Sequence, residues 1–113
     1  MRRGLLAQVL TNLVTNAGLH AYEGQGGNLE IRVERSDEGA VLRVIDQGAG
    51  MSEDVRARIF EPFYTTKGGK GGSGLGLFIT HNIVHEGLGG SLEVESVLGE
   101  GTSFIIHLPL EPA

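Results

Sequence analysis

The stretch Gly68-Gly69-Lys70-Gly71-Gly72-Ser73-Gly74-Leu75-Gly76-Leu77 limits the possible folds more than any other, because six of its ten residues are glycine. Ordering glycine costs backbone entropy, so such a run suits a mobile loop or a close backbone approach rather than a core element. The residues that follow change character. Leu75, Ile79 and Ile83 recur every fourth position, with Phe78 and Val84 beside them, which predicts a helix running to about His85 or Glu86. A glycine-rich loop opening into a helix presents free N–H groups and a favourable dipole to an anion, above all phosphate. A plain flexible linker is the weaker reading, because the run feeds directly into a helix in mid-chain.

The totals narrow the function classes. A chain of 113 residues with 40% hydrophobic and 20% charged content has the size and composition of one globular domain with a single core. It contains no cysteine, so disulfides and thiolate metal sites are excluded. The net charge of −5 argues against nucleic acid as partner. No apolar run is long enough to span a bilayer and no leader pattern is visible, so a soluble piece without direct membrane contact is expected.

The remaining pattern alternates between the two regular periods. Leu5, Leu6, Val9, Leu10, Leu13, Val14 and Ala17 predict an amphipathic helix over residues 5–21. Leu29, Ile31 and Val33 alternate with Glu30, Arg32 and Glu34 in a half-buried strand. A turn at Ser36-Asp37-Glu38-Gly39 leads to a more apolar, central strand over Val41–Ile45, antiparallel to the first. Ser52 caps a short helix to Ile59, with Glu53 and Asp54 in its first turn. Strands over Leu92–Val97 and Phe104–Leu108 close the chain. The expected class is α+β: a two-layer α/β sandwich in which a mixed, mostly antiparallel sheet packs on about three helices.

Several residues stand out chemically. Gln8, Asn12 and Asn16 form one stripe along the first helix, at the border of its apolar arc. Asparagine is a poor mid-helix residue, and an amide oxygen suits Mg²⁺, although the stripe taken alone reads rather as a solvated polar face. Asp46 ends the central strand, where a carboxylate must find a donor or stay wet; the amino group of a purine would supply one, and the other reading is an ordinary turn-starting Asp before glycine. Gly48 and Gly50 after it would let a flat ligand approach. Asp46 does not by itself separate adenine from guanine. Phe60, Phe63 and Tyr64 should mostly be core, their functional alternative being to anchor one end of the glycine loop, and Thr65, Thr66, Lys67 and Lys70 add hydroxyls and positive charge to it. His81 and His85 are spaced for zinc but lack a third ligand, so a solvated pair is expected. His107 should lie on the outward face of the last strand, and His20 further along the asparagine stripe. Lys70 is followed by Gly71, so no phosphate-binding GxxxxGK[ST] loop exists. The GxGxxG at Gly69, Gly71 and Gly74 lacks the preceding buried strand that a dinucleotide fold requires.

In this order the stretches resemble the catalytic, ATP-binding domain of sensor histidine kinases, a branch of the Bergerat-fold ATPases. Residues 8–17 (QVLTNLVTNA) resemble the family's N box, and residues 46–50 (DQGAG) its first glycine box. Residues 60–63 (FEPF) resemble the F box, residues 72–77 (GSGLGL) the second glycine box, and residues 99–104 (GEGTSF) the closing strand pair. The wording of residues 63–67 (FYTTK) is most similar to the nitrogen-regulation branch.

The resemblance implies ATP and Mg²⁺ as cofactors, with Asn16 as the metal ligand and Asn12 beside the phosphates. Asp46 would accept from the adenine amino group, between Gly48 and Gly50. Lys67 would lie near the phosphates, and Gly72, Gly74, Leu75 and Gly76 would form the part of the lid that folds over them. Thr102 would close the adenine pocket. His20 stands near the nucleotide, its role open. Asn12, Asn16 and Lys67 would be the catalytic set.

Histidine kinases phosphorylate a histidine in a His-Glu/Asp-x-x-x-Pro context on a separate dimerisation domain, and none of the four histidines here has that context. The chain is therefore expected to be a single catalytic module over residues 1–113, monomeric and cytoplasmic even if its parent kinase is membrane-anchored. Its partners would be the histidine-bearing dimerisation domain and, indirectly, a response regulator. Hydrolytic relatives carry a glutamate where Asn12 stands. An amide is no general base, so transfer rather than hydrolysis is implied. The alternatives are a protein serine kinase of the anti-sigma type and a non-catalytic nucleotide sensor.

Overall fold

The computed structural model describes residues 3–16, 27–37, 39–62 and 76–109. In chain order these form α1 (Arg3–Asn16), β1 (Leu29–Ser36), β2 (Gly39–Asp46), α2 (Glu53–Arg58), α3 (Gly76–Asn82), β3 (Ser91–Val97) and β4 (Gly101–Pro109). The strands make one antiparallel sheet in the order β1-β2-β4-β3. The more apolar Val41–Ile45 segment is internal, as its composition predicts, and β1 and β3 are the edges.

One face of the sheet carries the core. Leu42 and Val44 from β2, Leu92 from β3, and Phe104, Ile106 and Leu108 from β4 form a single buried cluster with Val9 and Leu13 of α1 and Val84 beyond α3. Val9, Leu13, Val84 and Ile106 are fully buried. The i, i+4 spacing of Val9 and Leu13 places both on the sheet-facing side of α1. Strand alternation does the same for Phe104, Ile106 and Leu108.

The opposite face is charged and open, yet Ile105 in its middle is only 4% exposed. Its cross-strand neighbours are Arg43 and Glu93. Arg43 reaches Glu34 at 3.6 Å and Glu95 at 4.0 Å, so its guanidinium lies between carboxylates of both edge strands. His107 is on this outward face, 3.2 Å from Glu93. Arg32 pairs with Glu30, and that hydrogen bond together with the carboxylate charge raises the guanidinium pKa above its ordinary value, with no consequence near neutral pH.

Ser52 caps α2 by accepting from the Val55 N–H at 3.3 Å, with Glu53 and Asp54 in the first turn and Arg56 and Arg58 in the last. The helix after the glycine run differs from its predicted form. After Asn82 it widens into a π-helical turn, Ile83–Gly87, closed by the Leu88 N–H on the Ile83 carbonyl at 3.0 Å. Its buried positions are Thr80 and Val84, whereas Ile79 is 40% exposed. Within the predicted apolar repeat, Ile79 therefore faces away from the core while Ile83 packs against it. The apolar row of β1 is also less covered than its alternation suggests: Ile31 is 48% and Val33 63% exposed, because β1 is an edge strand.

Truncating Ile106 to alanine should cost about 3 kcal/mol of unfolding free energy, since it opens a cavity at the centre of the cluster. Val33→Ala should cost under about 0.5 kcal/mol, as for exposed surface positions. Urea denaturation followed by circular dichroism distinguishes the two.

Candidate functional site

The β2–β4 register sets Asp46 directly opposite Thr102, two residues fifty-six apart in sequence. Asp46 is 5% exposed and Thr102 6%. The Thr102 N–H donates to Asp46 Oδ1 at 3.1 Å, and the Gly48 N–H donates to the same oxygen at 3.0 Å. Two backbone donors on one oxygen lock the carboxylate in place and offset its burial. Among the described residues no donor reaches Oδ2, so the side chain keeps one acceptor for an exocyclic amino group. In this respect the site fits a purine base.

The loop after Asp46 is docked on the β3–β4 hairpin. The Gly99 N–H donates to the Ala49 carbonyl at 2.7 Å. The Met51 N–H donates to Ser96 Oγ at 2.8 Å. Ser96 Oγ donates to the Gly101 carbonyl and also lies 2.9 Å from Thr102 Oγ1. Gly50 has φ +71°, and a Cβ there would lie 2.0 Å from the Val97 carbonyl oxygen. Gly101 has φ +100°, and a Cβ there would lie 2.3 Å from the Asp46 carbonyl oxygen. Both positions require glycine for close packing of loop on hairpin. Sequence reading assigned the bareness of Gly50 to the approach of a ligand, and here its Cβ position faces the hairpin backbone.

Asn12 projects from α1 and donates through Nδ2 to Thr80 Oγ1 at 3.1 Å. Thr80 is fully buried on α3, so the amide ties the first helix to the helix that follows the glycine run. This orients the Asn12 side chain through its amide nitrogen, the amide oxygen being its acceptor atom. Phe60 packs with ring centroids 5.0 Å from His81 and 6.5 Å from Phe104, joining the end of α2 to α3 and β4. His81 in turn stacks on His85 at 6.3 Å. Among the described residues no group of three metal-ligating side chains forms.

Of the residues selected from sequence, Asn12, Asp46, Gly48, Gly50 and Thr102 are described in full. Asn16 ends α1 and Gly76 begins α3, while the Asn16 side chain falls outside the described set. His20, Lys67, Gly72, Gly74 and Leu75 lie outside the described residues. The structure brings Asp46, Gly48 and Thr102 together and sets Asn12 on the facing helix layer. Thr80 and Ser96 were not selected, since a threonine on a helix and a serine in a strand carry no pattern of their own. Ser96 does interrupt the apolar Leu92/Val94 alternation, which is the one signal available. The groove between the start of α2 and β3, lined by Met51, Ser52, Val94 and Leu98, holds none of the selected residues.

Residues 2–112 match the family model described as histidine kinase-, DNA gyrase B-, and HSP90-like ATPase. Sensor protein SrrB of Staphylococcus aureus is 41% identical over 106 residues, covering 90% of this chain and 18% of that protein. The chain thus spans about a fifth of the length of this relative. The nucleotide-free catalytic domain of histidine kinase ThkA superposes with a TM-score of 0.81 at 35% identity, covering 98% of this chain and 71% of that one. Full-length ShkA, solved in complex with AMPPNP, also gives a TM-score of 0.81, at 34% identity, covering 97% of this chain and 22% of that one.

The Asn12–Thr80 bond is testable by a double-mutant cycle. Thr80→Val removes the hydroxyl at nearly constant shape, and with Asn12→Ala it should give a coupling of about 1 kcal/mol in urea denaturation. Additive effects would show that the two side chains do not interact.

Proposed function

The chain belongs to the histidine kinase-, DNA gyrase B-, and HSP90-like ATPase family, and on that premise we propose that it binds ATP with Mg²⁺ and donates the γ-phosphate to a histidine on a dimerisation domain. The observation that carries this reading is Asp46: a buried carboxylate with one oxygen saturated by backbone and the other without a described donor. Asp46 Oδ2 accepts from the adenine amino group, and Thr102 closes the same end of the pocket. Asn12, held by Thr80, borders the phosphates. Asn16 is the residue that would hold Mg²⁺, which would neutralise phosphate charge when bound. Lys67 and the glycines Gly72, Gly74 and Gly76 belong to the phosphate end, with Leu75 between them. His20 is assigned no separate step.

Transfer is then a matter of position and charge. An imidazole nitrogen of the acceptor attacks the γ-phosphorus, the bond to the β–γ bridging oxygen breaks, and ADP leaves. Asn12 stands where hydrolytic relatives have a base, and an amide does not activate water. On this reading the acceptor histidine lies on the dimerisation domain of a parent kinase, and a response regulator is the indirect, downstream partner. No helix of the described residues is long and apolar enough to cross a membrane. A parent kinase anchored in a membrane, with this domain on the cytoplasmic side, fits that reading.

Titration calorimetry with ATP, ADP and GTP, each with and without Mg²⁺, tests the binding half. Asp46→Asn keeps an acceptor for the two backbone donors but turns an NH₂ towards the ligand, so ATP affinity should fall at least about tenfold with little change in folding. Unchanged affinity would remove Asp46 from the site. For the transfer half, the chain incubated with ATP alone should not label itself. Added histidine-bearing dimerisation domain should become phosphorylated with an acid-labile bond, whereas an acid-stable phosphate on a serine substrate would favour the anti-sigma alternative.

A further inference from the structure

We propose that Ser96 is a positioning residue for the nucleotide base, its hydroxyl holding the Asp46–Met51 loop and Thr102 in the binding geometry. The inference rests on the nucleotide reading above. A serine facing the core side of an edge strand is out of pattern, because Leu92 and Val94 occupy the preceding positions of that row. Burying a hydroxyl is unfavourable unless it is bonded. Here it is bonded to its full capacity. A hydroxyl has one proton and two lone pairs. The Met51 N–H occupies one lone pair at 2.8 Å. The proton goes to the Gly101 carbonyl at 2.9 Å, since a carbonyl only accepts. The contact to Thr102 Oγ1 at 2.9 Å must then be donated by Thr102 into the second lone pair.

Two consequences follow for the site. The loop leaving Asp46 is tethered to the hairpin by Ser96 at its far end, while the Ala49–Gly99 bond holds its middle and the Thr102–Asp46 bond its start. Of these three tethers, Ser96 supplies the one made by a side chain of the hairpin. The Thr102 hydroxyl proton is also directed away from the pocket, so Thr102 Oγ1 faces a ligand as an acceptor. Removing the Ser96 hydroxyl frees the Met51 end of the loop and releases the Thr102 proton. Both changes fall at the base end of the pocket, remote in the chain from the phosphate-binding candidates Asn16 and Lys67.

The test is calorimetric binding of ATP, ADP and adenosine to the 113-residue chain and to its Ser96→Ala and Ser96→Thr variants. Ser96→Ala should weaken all three ligands by a common factor of about ten, and Ser96→Thr, which keeps the hydroxyl, should restore affinity to within about threefold. A general loosening of the fold would not be rescued by the second hydroxyl. Equal binding by Ser96→Ala overturns the proposal while leaving the nucleotide reading intact. A loss confined to ATP, absent with adenosine, overturns it as well. If the unmodified chain binds none of the three, the nucleotide reading falls and this proposal with it. Amide exchange on the unmodified chain gives an answer that needs no variant. The Met51 N–H should be protected at least about tenfold relative to an open loop amide, and exchange at the open-loop rate would show that the tether is absent.

Discussion

The site depends on one constraint, the register between β2 and β4. It places Asp46 across from Thr102 and lets the Thr102 N–H satisfy the carboxylate. A slip of one residue would turn Asp46 to the opposite face and expose Leu42 and Val44, so the core that fixes the register also fixes the acceptor. Burial and the proposed function are coupled here. The carboxylate tolerates 5% exposure because the backbone donates to it twice, and both donors fall on Oδ1.

The β3–β4 hairpin has a second task beyond completing the sheet. Its turn holds the loop that leaves β2, through Gly99, Ser96 and the close packing of Gly50 against Val97. Glycines that look like ligand-approach positions in a one-dimensional reading are partly spent on this docking. On the helix side the Asn12–Thr80 bond and the Phe60–His81 contact join α1, α2 and α3 into the layer that covers the sheet. The proposed binding end and the helix layer therefore share the same packed scaffold, which suits the positioning chemistry proposed for the site.

Much of the fold was legible in residue order. The alternation of β1, β2 and β4, the turn at Asp37 and the Ser52 cap all announce themselves through local rules that tertiary contacts did not override. The π-helical turn after Asn82 and the burial of Thr80 in place of Ile79 were not legible, because they are set by what the helix packs against. Likewise the exposure of Ile31 and Val33 follows from β1 being an edge, and strand order is not written in the alternation of one strand.

The amino-acid sequence by itself determined the α+β class through its periodicities, and the order of its motifs carried the family resemblance, which in turn implied the candidate residues Asn12, Asn16, Asp46, Lys67 and Thr102. The tertiary structure alone decided that Asp46 Oδ1 is saturated by backbone, that Asn12 is held by Thr80, and that Ser96 joins the loop to the hairpin. The reason is physical. A hydrogen bond between residues 12 and 80, or 51 and 96, depends on the register and packing of elements far apart in the chain, and neither partner's identity announces the other.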